Sequence, residues 1–333
     1  MLQRLLISFL LFLVVSGCSY VAPLSIEAMR ADDHAATLTF ERSLENGSSF
    51  SAYLVSYQSS GLKVYAMVAV PNTSKPKAGY PVLVANHGYV PTPEKYGITA
   101  EGIDSRPGDY YREVPEIYAR EGFLVVMPDY RGHNISEGRN FTKGFLATNY
   151  YTLDVLALIS ALPGLDDADL NNLFMWGHSL GGEVTLRTLL IDNPIRGASL
   201  WSPVGGSLWE QAYHYSWYGN DNDTDSQDNP KAQMDDFGRD IEALGFPYDP
   251  ESSEPAQFLN YLNTPVILHH AKDDAAVPYV WSELLATQLE LQDKPYIFYS
   301  YNSDNHFFKG EIQATAVARD IEFFRSLLNQ GSQ

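Results

Sequence analysis

Trp176-Gly177-His178-Ser179-Leu180-Gly181-Gly182 sets a serine between glycines where an apolar run, Asn172–Trp176, gives way to a helical pattern, Glu183–Asp192. A serine hydroxyl is a poor nucleophile unless it is exposed, held rigidly and served by a base. A sharp strand-to-helix turn achieves the first two, and flanking glycines leave room for it. The same turn aims backbone N–H groups at the start of the helix toward the place where an oxyanion would form. G-x-S-x-G alone is short; with strand before and helix after it, the pattern gains its meaning.

Working outward, short apolar strands alternate with helical segments. Strands are predicted at Pro81–Ala85, Phe123–Met127, Leu173–Trp176, Ala198–Trp201, Val266–His269 and Tyr296–Tyr301. Helices are predicted at Tyr110–Arg120, Tyr151–Ala161, Glu183–Asp192, Tyr279–Leu291 and Ile312–Leu328. Such alternation implies an α/β fold: a mostly parallel twisted sheet with helices on both faces. Ahead of it lie three period-2 runs, Ala36–Arg42, Ser49–Gln58 and Leu62–Val70. The last two are joined at Ser59-Ser60-Gly61, an antiparallel hairpin signal. The alternation breaks once, between Ser202-Pro203 and Pro265. Within that stretch Asp221–Glu254 carries eleven carboxylates against Lys231 and Arg239. An insertion after a strand's C-terminal end sits over the crevice where open α/β sheets bind ligands. Residues 204–262 are therefore expected to form a cap or lid, with a solvated acidic loop as the alternative for their Asp-rich centre.

The chain has 333 residues, 45% of them apolar, enough for one large domain at about residues 36–330. A formal net charge of −19 argues against nucleic-acid binding, which needs basic stripes. The first residues are read as a targeting segment. Met1–Arg4 is a short cationic region, and Leu5–Val15 is apolar but too short to span a bilayer comfortably. It runs into Val15-Ser16-Gly17-Cys18, which resembles the lipobox of bacterial lipoproteins. Residues 1–17 would be removed, Cys18 would carry lipid, and residues 18–35 would be a tether. Cys18 is the sole cysteine, so no intramolecular disulfide can form. The resemblance implies a bacterial cell envelope protein, held at the outer membrane or facing the periplasm.

A serine nucleophile needs a base and a group to orient that base. With Ser179 first, the acid is sought after the strand Val266–His269, in Lys272-Asp273-Asp274-Ala275, and the histidine after the last strand, in Asn302–Phe308. The predicted triad is Ser179, Asp273 and His306, with the neighbouring Asp274 as the alternative acid. Asp304 is expected to shape its own loop. His178 is expected to pack beside the elbow, and His269 and His270 to be satisfied by backbone partners. No metal or other cofactor is expected: these histidines lack a zinc partner set. Asp221-x-Asp223-x-Asp225 lacks the glycine and terminal glutamate of a calcium loop. The oxyanion donors are expected to be the amides of Leu180 and of Tyr89, in Asn86-His87-Gly88-Tyr89.

Three segments carry a family resemblance. They are Gly177–Gly182, Asp129-Tyr130-Arg131-Gly132-His133-Asn134-x-Ser136-x-Gly138, and Pro265-x-x-Leu268-x-x-x-x-Asp273-x-x-x-Val277-Pro278. Together they resemble the catalytic domain of prolyl-oligopeptidase-type serine peptidases and the related dienelactone-hydrolase-like and acyl-esterase branches, all of the α/β-hydrolase fold. Ser59–Pro71 matches the leading hairpin of that group, and the likeness covers about residues 50–325. It implies a serine hydrolase acting on small peptides, with carboxylesterase activity second. A catalytically silent envelope binding protein on the same scaffold is the alternative of another class. Two departures stand out: about fifty residues precede the core where large members carry a β-propeller, and Ala275 stands where an arginine often grips substrate.

Overall fold

The computed structural model describes residues 24–90, 92–95, 111–142, 146–191, 193–216, 235, 238–239, 241–244 and 248–328. Among these residues, nine strands make one sheet in the order β1-β2-β3-β5-β4-β6-β7-β8-β9. They are β1 (Thr39–Ser43), β2 (Phe50–Ser59), β3 (Leu62–Pro71), β4 (Tyr80–Asn86), β5 (Leu124–Pro128), β6 (Ala168–His178), β7 (Ile195–Trp201), β8 (Val266–Ala271) and β9 (Tyr296–Tyr301). The first three pair antiparallel, β3 pairs antiparallel with β5, and everything from β5 through β9 is parallel. The hairpin between β2 and β3 turns on two residues. Ser60 and Gly61 both take positive φ, 50° and 79°, and Ser59 pairs with Leu62. That is the primed turn whose twist matches its strands.

Helices around the sheet, among the described residues, are α1 (Ile26–Ala31), α2 (Glu113–Arg120), α3 (Ala147–Ala161), α4 (Leu180–Leu189), α5 (Leu208–Ser216), α6 (Tyr279–Leu291) and α7 (Glu311–Ser326). The central strands carry unbroken apolar runs, Val82–Ala85, Leu124–Met127 and Leu173–Trp176, because both faces are covered there. Alternate residues divide between two cores. Val82, Val84, Leu124, Val126 and Met175 join the side covered by α1, α3, α4 and α6. Leu83, Ala85, Val125, Phe174 and Ile267 join the side covered by α2 and α7.

Parts of the expected tether and of the expected cap prove to be packed into the body. The tether reading of residues 18–35 is corrected over its second half. Ser25 caps α1 by accepting from the Ala28 amide at 3.1 Å, and Ile26 and Met29 are buried. Arg30 fixes the helix to the body by donating to the Leu190 carbonyl at 2.5 Å and lying over the Tyr261 ring. A six-residue helix was hidden because it has room for only two inward side chains. The described parts of the 204–262 insertion also contribute core: Leu208, Ala212, Leu259 and Leu262 are buried against the α3–α4 side. Residues 217–234, with the start of the acidic run and the Asp221–Asp225 pattern, lie outside the described residues. So do residues 1–23, with Cys18.

Candidate active site

β6 runs into α4 through Ser179, whose φ of 59° and ψ of −124° are strained for a residue with a Cβ. Such a conformation costs on the order of 1–3 kcal/mol and persists only when its surroundings over-determine it. They do. The Ser179 amide donates to the Trp201 carbonyl at 2.9 Å, and the Ser179 carbonyl accepts from Gly182 and from Val204 at 3.0 Å. A Cβ at Gly177 would run into the Gly181 carbonyl and Thr185, and one at Gly181 into the Asn86 and His87 carbonyls. The two glycines are thus required by close backbone approach.

The β8–β9 end supplies the acid–base pair, and here one expectation is corrected. Asp274, not Asp273, faces His306. Its Oδ2 lies 2.6 Å from His306 Nδ1, while its Oδ1 accepts the amides of Ala276 and Val277 at 2.9 and 3.0 Å. The physical reason is the turn after β8. Lys272 and Asp273 still donate to Tyr301 and Ser303, extending the β8–β9 ladder, and the chain then closes with Asp274 N–H donating to the Ala271 carbonyl. Asp273 is left exposed and Asp274 is swung under the sheet edge. Burial alone would raise the Asp274 carboxyl. Hydrogen bonds from His270 and His306, with the His306 charge, instead hold it well below the usual carboxylate range. It is therefore an anion at neutral pH.

His306 sits on a loop knotted by local bonds, with Asn305 N–H donating to Ser303 Oγ and Phe307 N–H to Asn305 Oδ1. Its ring is 14% exposed and packs 4.4 Å from the His178 ring, directly beside the nucleophile in sequence. Among the described residues no hydrogen bond joins the Ser179 hydroxyl to the His306 ring, so the acid–base contact is closed and the base–nucleophile contact open. Gly88 packs against Ser179, which brings the Gly88–Tyr89 segment to the elbow, and Tyr89 itself is exposed. Leu180 opens α4, where a first-turn amide has no partner within the helix.

Several polar groups act differently from the sequence reading. His178 does more than pack: its Nε2 lies 2.8 Å from the His306 carbonyl and its Nδ1 2.8 Å from the Tyr111 hydroxyl. His270 contacts Ser282 and the Val277 carbonyl, and His269 contacts Tyr301 and Asp320, so side chains supply most of their partners. Arg131 pairs with Asp154 of α3, through 2.7 Å (Nη2) and 3.0 Å (Nε) contacts to Oδ1, and both are buried. Tyr130, at φ 51°, donates to the His87 carbonyl at 3.1 Å and so holds the loop that carries Gly88. Beside Ser179, Leu180 packs against Val204, Val277 and Trp281 with Tyr215, an apolar patch. No group of three or more potential metal ligands is found among the described residues.

A strained serine between strand and helix, with a carboxylate-bound histidine packed on the residue before it at the C-terminal edge of a parallel sheet, defines the class: a serine hydrolase on the α/β-hydrolase fold. Residues 110–331 match the prolyl oligopeptidase family, and the chain belongs to that family. Solved structures agree in fold. Porphyromonas gingivalis dipeptidyl peptidase 4 is 17% identical, with a TM-score of 0.60 over 84% of this chain and 36% of its own. Pyrococcus horikoshii acylaminoacyl peptidase is 18% identical, with a TM-score of 0.59 over 84% and 42%. Acetyl xylan esterase 1 from Thermoanaerobacterium sp. JW/SL YS485 is 16% identical, with a TM-score of 0.62 over 91% of both chains. This chain therefore spans less than half of the two peptidases and nearly all of the esterase. No match was found among curated proteins.

Proposed function

We propose that the chain cleaves small acyl substrates through an acyl-enzyme on Ser179, with His306 as base and Asp274 orienting it. The observation that carries this reading is the His306–Asp274 pair set beside a strained serine elbow. Ser179 Oγ attacks the carbonyl carbon while its proton passes to His306 Nε2, and the Asp274 anion stabilises the imidazolium. The oxyanion meets the amides of Leu180 and Tyr89. Collapse expels the amine or alcohol, which takes the proton from His306, and a water repeats the sequence in reverse to free the acid. The open Ser179–His306 contact closes in the substrate complex, as contacts in unliganded sites commonly do.

Family membership favours small peptides as substrates, with an apolar residue or acyl group lying on the Leu180–Val204–Trp281 patch. Carboxylester cleavage is the second reading, favoured by the near-complete mutual coverage with acetyl xylan esterase. A fluorophosphonate probe should label the wild type and spare Ser179→Ala; equal labelling of both would refute the nucleophile. Absence of labelling and turnover in the folded wild type would favour a silent binding scaffold. Prolyl and alanyl amides assayed beside p-nitrophenyl esters separate peptidase from esterase.

The lipobox-like segment supports a further reading: Cys18 carries lipid and holds the enzyme at a bacterial envelope membrane. No helix among the described residues is long and apolar enough to cross a membrane. Cys18→Ser should move the protein from the membrane to the aqueous fraction, and continued membrane binding would reject the anchor.

A further inference from the structure

General-base catalysis depends on where the imidazole sits to within a fraction of an ångström. The Asp274 contact fixes one ring nitrogen of His306 but does not fix the loop that carries it. His178 reaches that loop. Its Nε2 lies 2.8 Å from the His306 carbonyl oxygen, and a carbonyl can only accept, so His178 bears its proton on Nε2. In the neutral ring Nδ1 is then an acceptor, and the Tyr111 hydroxyl, 2.8 Å away, must donate to it. The chain of bonds therefore has one direction: Tyr111 O–H to His178 Nδ1, His178 Nε2–H to the His306 carbonyl. Each nitrogen of the ring is used, and its plane is set.

We infer that Tyr111 and His178 form a positioning device for the base, clamping the main chain of His306 from the residue next to the nucleophile. This rests on the serine-hydrolase reading above. The placement has a mechanical consequence. His178 belongs to the rigid end of β6, one residue before Ser179, so the clamp ties nucleophile and base to one support and holds their separation. Tyr111 in turn is packed against Trp176 and Phe307, the residue after the base. There is an electrostatic consequence as well. The His178 ring lies 4.4 Å from a base that becomes a cation in the reaction. Burial, reinforced by the neighbouring His306, pushes His178 far below the ordinary histidine value. The clamp therefore stays neutral when the base is charged, and adds no repulsion to the transition state.

The decisive feature is the N–H donated to the carbonyl. His178→Gln retains such a donor, and His178→Leu does not. Fluorophosphonate labelling rates and ester kcat and KM should separate them. His178→Leu is expected to lower the labelling rate and kcat about 100-fold, with KM within about twofold, as a small misplacement of the base would. His178→Gln should recover to within about fivefold of wild type, and Tyr111→Phe should fall about tenfold. Wild-type rates in folded His178→Leu, or a Gln variant as slow as the Leu variant, would overturn the inference. Should His178→Leu fail to fold, Tyr111→Phe decides, since it deletes one oxygen: an unchanged rate overturns the clamp. Labelling of the wild type but not of Ser179→Ala, measured alongside, shows whether the underlying hydrolase reading holds independently.

Discussion

Oδ2 of Asp274 lies 2.6 Å from Nδ1 of His306, while Asp273, one position earlier, faces solvent. Loss of the orienting carboxylate leaves the imidazole free to take the wrong tautomer, which costs about 10⁴ in turnover in comparable triads. Asp274→Asn should therefore lower kcat by about that factor in protein that still folds, whereas Asp273→Asn should stay within about twofold of wild type. Steady-state ester hydrolysis on both variants checks this. The opposite ranking would return the role to Asp273.

Much of this arrangement was legible in the sequence. The strand–glycine–serine–glycine–helix pattern located Ser179, and chain order located His306, because both depend on local geometry written into a few adjacent residues. The boundaries of β9 and α6 coincide with their periodic runs. The choice between Asp273 and Asp274 was not legible: it depends on how far the β8–β9 ladder runs before the turn closes, a property of two distant strands. The partner of Arg131 was hidden for the same reason, since Asp154 approaches it only when α3 packs on the sheet. Helix α1 is not legible because the burial of Ile26 and Met29 depends on surfaces brought up from distant segments, the 250–253 turn among them, not on any periodicity of its own.

Gly88 marks a close approach of the oxyanion loop to the nucleophile itself. A Cβ there would meet the Tyr111 hydroxyl, and would stand 3.0 Å from the Ser179 Cβ and 3.1 Å from the His178 carbonyl. None of these is the free end of a flexible side chain, so Gly88→Ala must displace the loop, the elbow or Tyr111. Displacing one oxyanion donor costs about 10²–10³ in turnover. A fall of that order in kcat, with the fold intact by circular dichroism, is expected; activity within about threefold of wild type would place the oxyanion elsewhere.

The Arg131–Asp154 pair is buried on both sides, and its guanidinium also donates to Ser59 Oγ at 3.1 Å and lies near the Phe141 and Tyr150 rings. Removing one member strands the other charge away from water, a loss of about 3–5 kcal/mol, whereas replacing both with apolar residues of similar volume is far less costly. Asp154→Leu alone should thus shift the urea midpoint strongly, and Arg131→Met with Asp154→Leu should recover much of the loss. A double variant whose loss equals the sum of the singles would show that the two side chains do not act as a pair.

Acid should begin to weaken the fold near pH 6.5, above the range in which ordinary carboxylates take up protons. Burial pushes His133 down to about 4, against a hydrogen bond to the Arg131 carbonyl that works the other way, and it pushes His178 well below its ordinary value. The unfolded chain takes up a proton on each near pH 6.5, and the native chain does not, so the unfolded state binds more protons as pH falls from 6.5 toward 4. Stability must then fall in the same interval, by about 1.4 kcal/mol per pH unit for each histidine, or on the order of 3 kcal/mol for His133 across the window. Asp274 adds nothing there: its contribution is complete above the ordinary carboxylate value and is lost only as pH drops through its depressed native one. Urea midpoints at pH 7.5, 5.5 and 4.5 should decline stepwise, and His133→Gln should flatten the slope by the share of one group. A midpoint that held constant down to pH 4.5 would mean that both rings protonate freely in the native chain, and that neither is confined as the structure has it.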